Sequence, residues 1–250
     1  MDAHIAQVAG WIGSAVAVTA FTGAGISTDS GIPDFRGPRG VWTKDPGAQA
    51  LFTIENYLAD PEVRRRAWRE RVRHPAWAAA PGPGHLALFE LESRARLRAI
   101  CTQNIDGLHQ AAGSTPELVL ELHGTLHEAV CLSCGRRTTM PEVLARVEAG
   151  DEDPPCLACG GIQKSATVSF GQSLDPDVLH AAAVAASSCE IFLVIGSSLQ
   201  VMPAAGLCNV ARHAGARLVI VNAQPTPYDA DADAVLRGPI AEVLPALVGG

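Results

Sequence analysis

Short apolar runs alternate with helical segments along most of the chain, and this alternation restricts the possible folds more than any other feature. The runs Ala15–Phe21, Ile191–Ile195 and Arg217–Val221 are apolar almost throughout and lack the polar alternation of a half-exposed strand. Strands of this kind are buried on both faces, which occurs when helices cover both sides of a parallel sheet. The chain is therefore predicted to form an α/β fold of that kind.

The hydrophobic period along the chain predicts the individual elements. Gly, Pro and polar residues between Gly31 and Ala50 indicate a long ordered loop, which in a compact domain is usually functional. Ser27 or Thr28 is a candidate cap for a helix that follows the first strand. The predicted helices are Ile5–Ile12, Glu55–Arg73, His85–Ser93, a segment from about Asp106, Pro141–Glu148, Asp175–Ser187, Pro203–His213 and Pro239–Val248. The predicted strands are Ala15–Phe21, Leu97–Cys101, Leu118–Leu122, Ala166–Phe170, Ile191–Ile195 and Arg217–Val221.

Composition fixes the broad class of the protein. With 250 residues, of which 48% are hydrophobic, a fold of this size buries roughly 70% of the surface of the unfolded chain, so it needs no disulfide. The apolar runs are too short to cross a bilayer, and the start Met1-Asp-Ala-His4 lacks the basic region of a signal peptide. The net charge of −7 argues against a nucleic-acid partner, which requires a basic surface. We therefore expect a cytoplasmic protein with neither a nucleic-acid nor a membrane partner, and the sequence leaves the oligomeric state open.

Four of the seven cysteines form two Cys-x-x-Cys pairs, with 21 residues between the pairs. Four thiolates close a tetrahedral shell without an open position for water, so the pattern predicts one structural zinc ion. Each pair is followed by a glycine, which allows backbone amides to reach the sulfurs. Four unrelated core thiols are the alternative. The predicted ligands are Cys131, Cys134, Cys156 and Cys159, in a small inserted module from Cys131 to Gly161. The other cysteines, Cys101, Cys189 and Cys208, are predicted to be buried small residues.

The motif Gly23-Ala24-Gly25 directly follows the first predicted strand. Glycines allow a tight strand-to-helix turn, and the following helix would direct free N–H groups at an anion, so the motif predicts a phosphate-binding turn. The third glycine of the common dinucleotide motif is absent, since Thr28 occupies its position, and no ribose-binding acid closes a short βαβ unit. A plain strand-to-helix turn is therefore the alternative.

Polar residues also follow two other predicted strands. His123 comes directly after Leu118–Leu122, at the sheet edge where ligands bind in open α/β folds. An imidazole there could act as a general base, because its pKa lies near working pH. Asn104 and Asp106 follow the strand Leu97–Cys101 and could bind an amide and a ribose. A hydrogen-bonded structural histidine and turn capping by Asn and Asp are the alternatives.

Eight motifs occur in one order along the chain, between about Ala15 and Leu247. They are Gly23-Ala-Gly-Ile-Ser27, Gly31-Ile-Pro-Asp-Phe-Arg-Gly37, Thr102-Gln-Asn-Ile-Asp-Gly-Leu-His109, His123-Gly124, the paired Cys-x-x-Cys, Val168-Ser-Phe-Gly171, Gly196-Ser-Ser-Leu-Gln-Val201 and Asn222. In this order they resemble the sirtuins of bacterial type, which are NAD-dependent protein-lysine deacylases. The resemblance implies a Rossmann-like parallel sheet with helices on both faces and a small inserted zinc-ribbon module.

The resemblance also implies a single catalytic domain over residues 1–250. Its Rossmann-like part would comprise about 1–50, 85–125 and 165–250, and its zinc module about 126–164. A cofactor loop and helical insertion would occupy about 31–84.

Roles at matching positions follow from the same resemblance. His123 and Asn104 are implied to be catalytic. NAD is implied as a co-substrate bound by Gly23, Ala24, Gly25, Ile32, Asp34, Phe35, Arg36, Gln103, Asn104, Ile105, Asp106, Gly196, Ser197, Ser198, Asn222 and Leu236. An acyl-lysine protein or peptide would be bound by Val168, Phe170, Gly171 and Val201, and one structural zinc by the four cysteines.

In the implied reaction, NAD is consumed as a reactant. The acyl-lysine oxygen attacks the ribose carbon that bears nicotinamide, and nicotinamide leaves. His123 then activates a ribose hydroxyl that attacks the imidate carbon, and water completes the release of free lysine and acylated ADP-ribose. Phe35 would keep water from the ribose carbon, which needs a dry pocket. The peptide would add as a strand beside Val168–Gly171.

Two positions depart from the family pattern. Gln172 stands where family members often carry Glu, which weakens a preference for basic flanking residues. Trp68-Arg-Glu-Arg71 stands at about the place of the Tyr-x-x-Arg pair of sirtuins that remove acidic acyl groups. Because Trp68 lacks the hydroxyl, acetyl and other uncharged acyl groups are favoured, with longer or acidic groups as the alternative. Mono-ADP-ribosyl transfer to a protein and a catalytically idle NAD- and zinc-binding module are the competing functions.

Overall fold

The computed structural model describes residues 3–38, 40–45 and 53–249. A search of these residues finds no helix long and apolar enough to span a membrane. The strands are β1 (Val18–Thr22), β2 (Leu97–Thr102), β3 (Val119–Glu121), β4 (Gly124–Cys131), β5 (Arg137–Thr139), β6 (Gln163–Thr167), β7 (Ile191–Ile195), β8 (Arg217–Val221) and β9 (Ala234–Leu236). The helices are α1 (Ala3–Ser14), α2 (Val41–Lys44), α3 (Ile54–Ala59), α4 (Pro61–Val72), α5 (Pro83–Ser93), α6 (Leu108–Ala111), α7 (Met140–Glu148), α8 (Pro176–Ser187), α9 (Leu207–His213) and α10 (Ile240–Val248).

Six parallel strands form the larger sheet, in the order β3-β2-β1-β7-β8-β9. From β1 the chain proceeds to strands on one side, and from β7 to strands on the other. The gap between β1 and β7 is therefore the switch point of the topology, where open α/β sheets bind their ligands. This order confirms the predicted Rossmann-like sheet.

Helices cover both faces of the sheet. Successive side chains of a strand point to opposite faces, and all five residues of β1 are buried. Val18 joins one apolar cluster with residues of α1, α5 and α10. Phe21 joins another with residues of α8 and α9, and its ring centroid lies 5.9 Å from that of Phe192. The second cluster also contains the three cysteines predicted to be buried, which are Cys101, Cys189 and Cys208.

The three-stranded antiparallel sheet β5-β4-β6 forms the small module, together with α7. The module packs against the long helix α4 through Trp68, whose side chain is 2% exposed. The indole lies in an apolar cluster with Ala129, Met140 and Val143. This contact fixes the module against the helical insertion that precedes it.

Three sequence predictions, in three different segments of the chain, need correction. The single helix Glu55–Arg73 is two helices, because Pro61 begins α4 and the Asp60 side chain caps it by accepting a hydrogen bond from the Glu62 N–H at 2.8 Å. The bounds of the predicted strand Ala166–Phe170 are wrong, since β6 begins at Gln163 and ends at Thr167, and beyond it the Val168 N–H donates to the carbonyl of His123, just before β4.

The third correction concerns the segment after β1. Neither Ser27 nor Thr28 caps a helix, because both lie inside a 3₁₀-helix, Ala24–Ser30, whose N-cap is Gly23. The predicted loop Gly31–Ala50 contains the short helix α2, while its residues 39 and 46–50 lie outside the described residues.

Candidate active site

The glycine turn after β1 crosses the end of β7 at very short range. The Gly23 N–H donates to the Ile195 carbonyl at 3.0 Å and the Gly25 N–H to the Gly196 carbonyl at 2.9 Å. A Cβ atom on Gly25 would lie 2.7 Å from the Gly196 Cα, and Gly196 itself has a φ of +62°. Only glycine fits this crossing, which lies at the switch point of the sheet, the place where open α/β folds bind their ligands.

Polar side chains surround the crossing. Gln103 follows β2, and its Nε2 donates to the Ser197 Oγ at 2.8 Å. The same oxygen accepts from the Leu199 N–H at 3.2 Å, so Ser197 is held in place and is 4% exposed. Its neighbour Ser198 is half-buried. The predicted residues after β1, β2 and β7 are thus brought together at one edge.

Asn104 and Asp106 form a buried polar pocket beside the turn. The Asn104 Nδ2 donates to the Gly23 carbonyl at 3.2 Å and to the Ser27 Oγ at 3.1 Å. Ser27 in turn donates to an Asp106 carboxylate oxygen at 2.8 Å. Ile32 and Ile105 belong to the apolar cluster in the same region. The result is a buried polar pocket with a fixed amide and a fixed carboxylate.

His123 lies in the short connection between β3 and β4, directly before Gly124. Its Nδ1 donates to the Gln103 carbonyl at 3.1 Å, so the other ring nitrogen, Nε2, is left unprotonated in the neutral ring. Burial lowers the pKa of His123 below its ordinary 6.5, and the hydrogen bond to Gln103 opposes this only in part. The ring therefore offers a free basic nitrogen at neutral pH.

The loop that carries Asp34, Phe35 and Arg36 folds back on itself. An Asp34 carboxylate oxygen accepts from the Gly37 N–H at 3.1 Å. The Phe35 ring lies 4.8 Å from the Trp42 ring, and the Arg36 guanidinium lies 4.4 Å from the centroid of the same indole. Trp42 therefore holds the two predicted loop residues together.

A second segment approaches the same loop from the other side. The Trp42 ring lies 5.7 Å from that of Phe170, and the Phe170 carbonyl accepts from the Ile54 N–H at 2.9 Å. The Val168 N–H donates to the His123 carbonyl at 2.8 Å. The predicted peptide-binding residues Val168 and Phe170 thus connect the histidine to the loop. The other two, Gly171 and Val201, are exposed and half-buried, respectively.

Asn222 and Leu236 occupy the far end of the same edge, after β8 and at the end of β9. The Asn222 N–H donates to the Leu236 carbonyl at 3.2 Å, and the Asn222 Nδ2 donates to the Gln224 carbonyl at 2.8 Å. Arg237 donates to the carbonyls of Asn222 and Gln224 and so fixes the turn. The edge therefore extends from His123 across the glycine crossing to Asn222.

The four predicted metal ligands lie together in the small module. Their sulfur atoms all lie within 4.8 Å of one another, which excludes four unrelated core thiols. The N–H of Cys134 lowers the pKa of Cys131 to about 6, and the N–H of Ala158 lowers the pKa of Cys156. In these two cysteines, backbone amides thus favour the thiolate form, which is the form that binds metal. Four clustered sulfurs without another donor fit a structural zinc ion.

Sequence reasoning missed the role of several side chains that support the site. Ser27 was predicted only as a candidate helix cap, whereas it bridges Asn104 and Asp106. Trp42 contacts both Phe35 in the loop and Phe170, and no local sequence pattern around Trp42 predicts these contacts. A serine two residues after the last glycine of a turn is the one signal that could have indicated the Ser27 bridge.

The geometry is accompanied by clear likenesses to known proteins. A profile of the Sir2 family matches residues 23–203. The NAD-dependent protein deacetylase 2 of Streptomyces coelicolor is 55% identical over 233 residues, which cover 93% of this chain and 97% of that protein. A solved structure of a Sir2 enzyme superposes with a TM-score of 0.90 at 39% identity and covers 100% of this chain and 98% of that one. Another, described as Sir2 with a p53 peptide and NAD⁺, gives 0.86 at 35% identity over 95% and 94%.

Proposed function

Because this chain belongs to the Sir2 family, we propose that it is an NAD-dependent protein-lysine deacetylase. It transfers the acyl group of an acyl-lysine to ADP-ribose and releases nicotinamide and free lysine. The observation that carries the proposal is the free basic Nε2 of His123, set at the same sheet edge as the glycine crossing and the pocket of Asn104 and Asp106.

NAD is the co-substrate, and its two ends occupy the two ends of the edge. The glycine crossing supports binding of the diphosphate, since it places the backbone turn after β1 and the start of a 3₁₀-helix at the switch point of the sheet, where backbone N–H groups can bind an anion. The buried amide of Asn104 and carboxylate of Asp106 suit the carboxamide of nicotinamide, and Asn222 suits the adenine-side ribose. The remaining contacts are assigned to Ala24, Ile32, Asp34, Phe35, Arg36, Gln103, Ile105, Ser197, Ser198 and Leu236.

His123 acts as the general base. Its Nε2 accepts the proton of a ribose hydroxyl, while the Gln103 carbonyl holds the ring in the required tautomer. Phe35, which Trp42 fixes in place, keeps water away from the ribose carbon that reacts. The residues of this chain therefore supply a base, a carboxamide binder and a barrier to water.

The acidic limb of the rate profile tests the state of this histidine. A base must be unprotonated, and burial lowers the pKa of His123 below 6.5, so activity persists as the pH falls through 6.5. We expect the acidic midpoint of kcat/KM for an acetyl-lysine peptide to lie below pH 6.5. The measurement is nicotinamide release from about pH 4.5 to about pH 8.5, with circular dichroism over the same range as the control. A midpoint near pH 7 with the fold intact would contradict the assignment.

The acylated peptide binds as an added strand beside Val168. This mode uses backbone hydrogen bonds, which tolerate many peptide sequences. Phe170, Gly171 and Val201 flank the same stretch. The exposed ring of Phe170, which is 37% accessible, offers an apolar contact next to the cofactor loop.

The positions of Trp68 and Arg71 favour an uncharged acyl group on the substrate lysine. Trp68 is packed into the module core and is therefore withdrawn from any role with Arg71. The Arg71 guanidinium donates to the Ser165 Oγ at 3.0 Å, and burial lowers the pKa of Arg71 to about 10. Among the described residues, Arg71 forms no ion pair, which makes removal of an acidic acyl group the second candidate.

An acyl panel tests the proposed function and the choice of acyl group together. We expect NAD-dependent turnover of an acetyl-lysine peptide to exceed that of the matched succinyl peptide by at least about tenfold, because Trp68 lies in the module core and supplies no hydroxyl to a carboxylate, and an incompletely paired buried carboxylate is costly. Mass spectrometry of the products separates loss of an acyl group by the peptide from gain of ADP-ribose by a protein. Faster succinyl turnover that is lost in Arg71→Met while acetyl turnover persists would establish the second candidate.

We also infer a cytoplasmic location for this reaction. Four clustered thiols that hold a metal need a reducing compartment, where disulfides do not form. A fractionation of cells with an antibody against the chain tests this.

A further inference from the structure

Two buried histidines lie directly behind the pocket of Asn104 and Asp106. His85 is fully buried and His109 is 2% exposed. Their rings meet edge to face, with centroids 4.9 Å apart. Burial, aided by the neighbouring His85, lowers the pKa of His109 to about 3, and burial also lowers the pKa of His85. His109 is therefore neutral at any working pH, and burial favours the neutral form of His85 as well.

The directions of the hydrogen bonds around His109 follow from counting protons. The Thr22 Oγ donates its only proton to the Thr102 Oγ at 2.8 Å. The His109 Nε2, 3.0 Å from the Thr22 Oγ, must then be the donor to that oxygen. The Thr102 Oγ also accepts from the Asn104 N–H at 3.0 Å. A chain of hydrogen bonds thus connects the His109 ring to the backbone of Asn104.

The remaining nitrogen of His109 is left without a partner. With the proton on Nε2, Nδ1 is an acceptor, and this buried atom finds no donor among the described residues. An unsatisfied buried polar atom costs about 1–3 kcal/mol, and such exceptions in a native fold need an explanation. An apolar side chain would avoid this cost, so the Nε2 donor must supply something that an apolar residue cannot.

His85 supports the same pocket from the other side. Its Nδ1 accepts from the Gly82 N–H at 3.1 Å, which leaves the proton on Nε2, 3.5 Å from the Ser27 Oγ. Ser27 donates to Asp106 and accepts from Asn104. The two rings therefore border the hydrogen bonds that hold both pocket side chains.

We propose that His109 is a positioning residue for this pocket: its Nε2–H orients the hydroxyls of Thr22 and Thr102, which fix Asn104 for binding of the nicotinamide carboxamide. The inference rests on the proposed function, because it takes that function's assignment of the pocket to nicotinamide. His109 acts through Thr22 and Thr102 and touches no reacting atom.

A matched pair of variants tests the proposal. His109→Gln can place an N–H near the position of Nε2, whereas the shorter His109→Asn cannot. We expect His109→Asn to weaken inhibition by nicotinamide and to lower kcat by about 3- to 10-fold, which is what the loss of one neutral hydrogen bond implies. His109→Gln should recover most of both, and the KM for the acyl peptide should stay within about twofold in each variant. The same substitution at the exposed His180, His180→Asn, is the control.

Thr22→Val provides a second test of the proposal if His109→Asn fails to fold. Valine keeps the shape of threonine and has a methyl group in place of the hydroxyl. Thr22→Val should show the same weakened inhibition by nicotinamide, whereas Thr22→Ser, which keeps the hydroxyl, should be inhibited like the parent protein. Direct titration of nicotinamide into each protein in the presence of ADP-ribose gives the affinity independently of turnover. An inactive parent protein would count against the proposed function alone. Unchanged nicotinamide affinity in folded His109→Asn or Thr22→Val, or equal losses in His109→Gln and His109→Asn, would overturn the positioning role.

Discussion

Replacement of His123 by alanine is expected to lower turnover of an acetyl-lysine peptide by about a thousandfold, the range in which positioned general bases contribute. Among the described residues, the polar side chains beside the imidazole are already engaged, Gln103 with Ser197 and Asn104 with Ser27, so none of them replaces its Nε2. The ring is half-buried and makes one hydrogen bond within the described part of the chain, so its loss should leave the fold intact. The measurement is nicotinamide release under saturating NAD, with thermal melting to confirm folding.

Two further observations make this result specific. His213→Ala removes an exposed histidine on α9 and should leave turnover unchanged. NAD should still bind to His123→Ala, because the glycine crossing and Asn222 are untouched. A folded His123→Ala protein that keeps more than about a tenth of the parent activity would exclude this residue as the base.

Loss of one zinc ligand is expected to have an equally large effect on stability. Structural zinc sites bind with about 10–16 kcal/mol, comparable to the whole stability of a typical domain. Cys156→Ser should therefore abolish zinc binding and lower the melting temperature by at least about 10 °C. The parent protein should contain one zinc per chain, because the described residues hold one cluster of four sulfurs. Metal analysis and calorimetry measure the two quantities.

The module should transmit this loss to the active site. Its β4 begins at Gly124, directly after His123, and the carbonyl of His123 accepts from Val168, just beyond β6. Cys189→Ala, in the core of the main sheet, is the matched control and should keep its zinc with a melting temperature within a few degrees of the parent. Unaltered melting in a zinc-free Cys156→Ser protein would show that the metal does not hold the module together.

The parallel sheet could be predicted because its central strands are buried on both faces. The predicted bounds of Ile191–Ile195 and Arg217–Val221 agree with β7 and β8, whose residues are buried almost without exception. The same holds for the cysteine cluster, since two short motifs specify both the donor atoms and the turns that present them. In these places the local sequence carries the whole signal.

Tertiary contacts decide the rest, and the local sequence does not show them. Strand β4 was not predicted, because four of its eight residues are half-buried and its sequence lacks a period of two. The end of β6 at Thr167 depends on the bond of Val168 to His123, which lies far away in the chain. Likewise, the hydrogen-bond chain from His109 joins three separate segments, and no single segment carries a pattern for it.

The crossing of Gly25 and Gly196 has a consequence for how sequences of this kind can diverge. Each residue occupies the space that the other's side chain would need. A side chain at either position would collide with backbone atoms of the other, and a second substitution nearby cannot relieve that collision. Saturation mutagenesis at these two codons should return glycine alone, even under selection for folding without catalysis. Surface helices can change in sequence over evolutionary time, but these two positions must remain glycine while the rest of the sequence diverges.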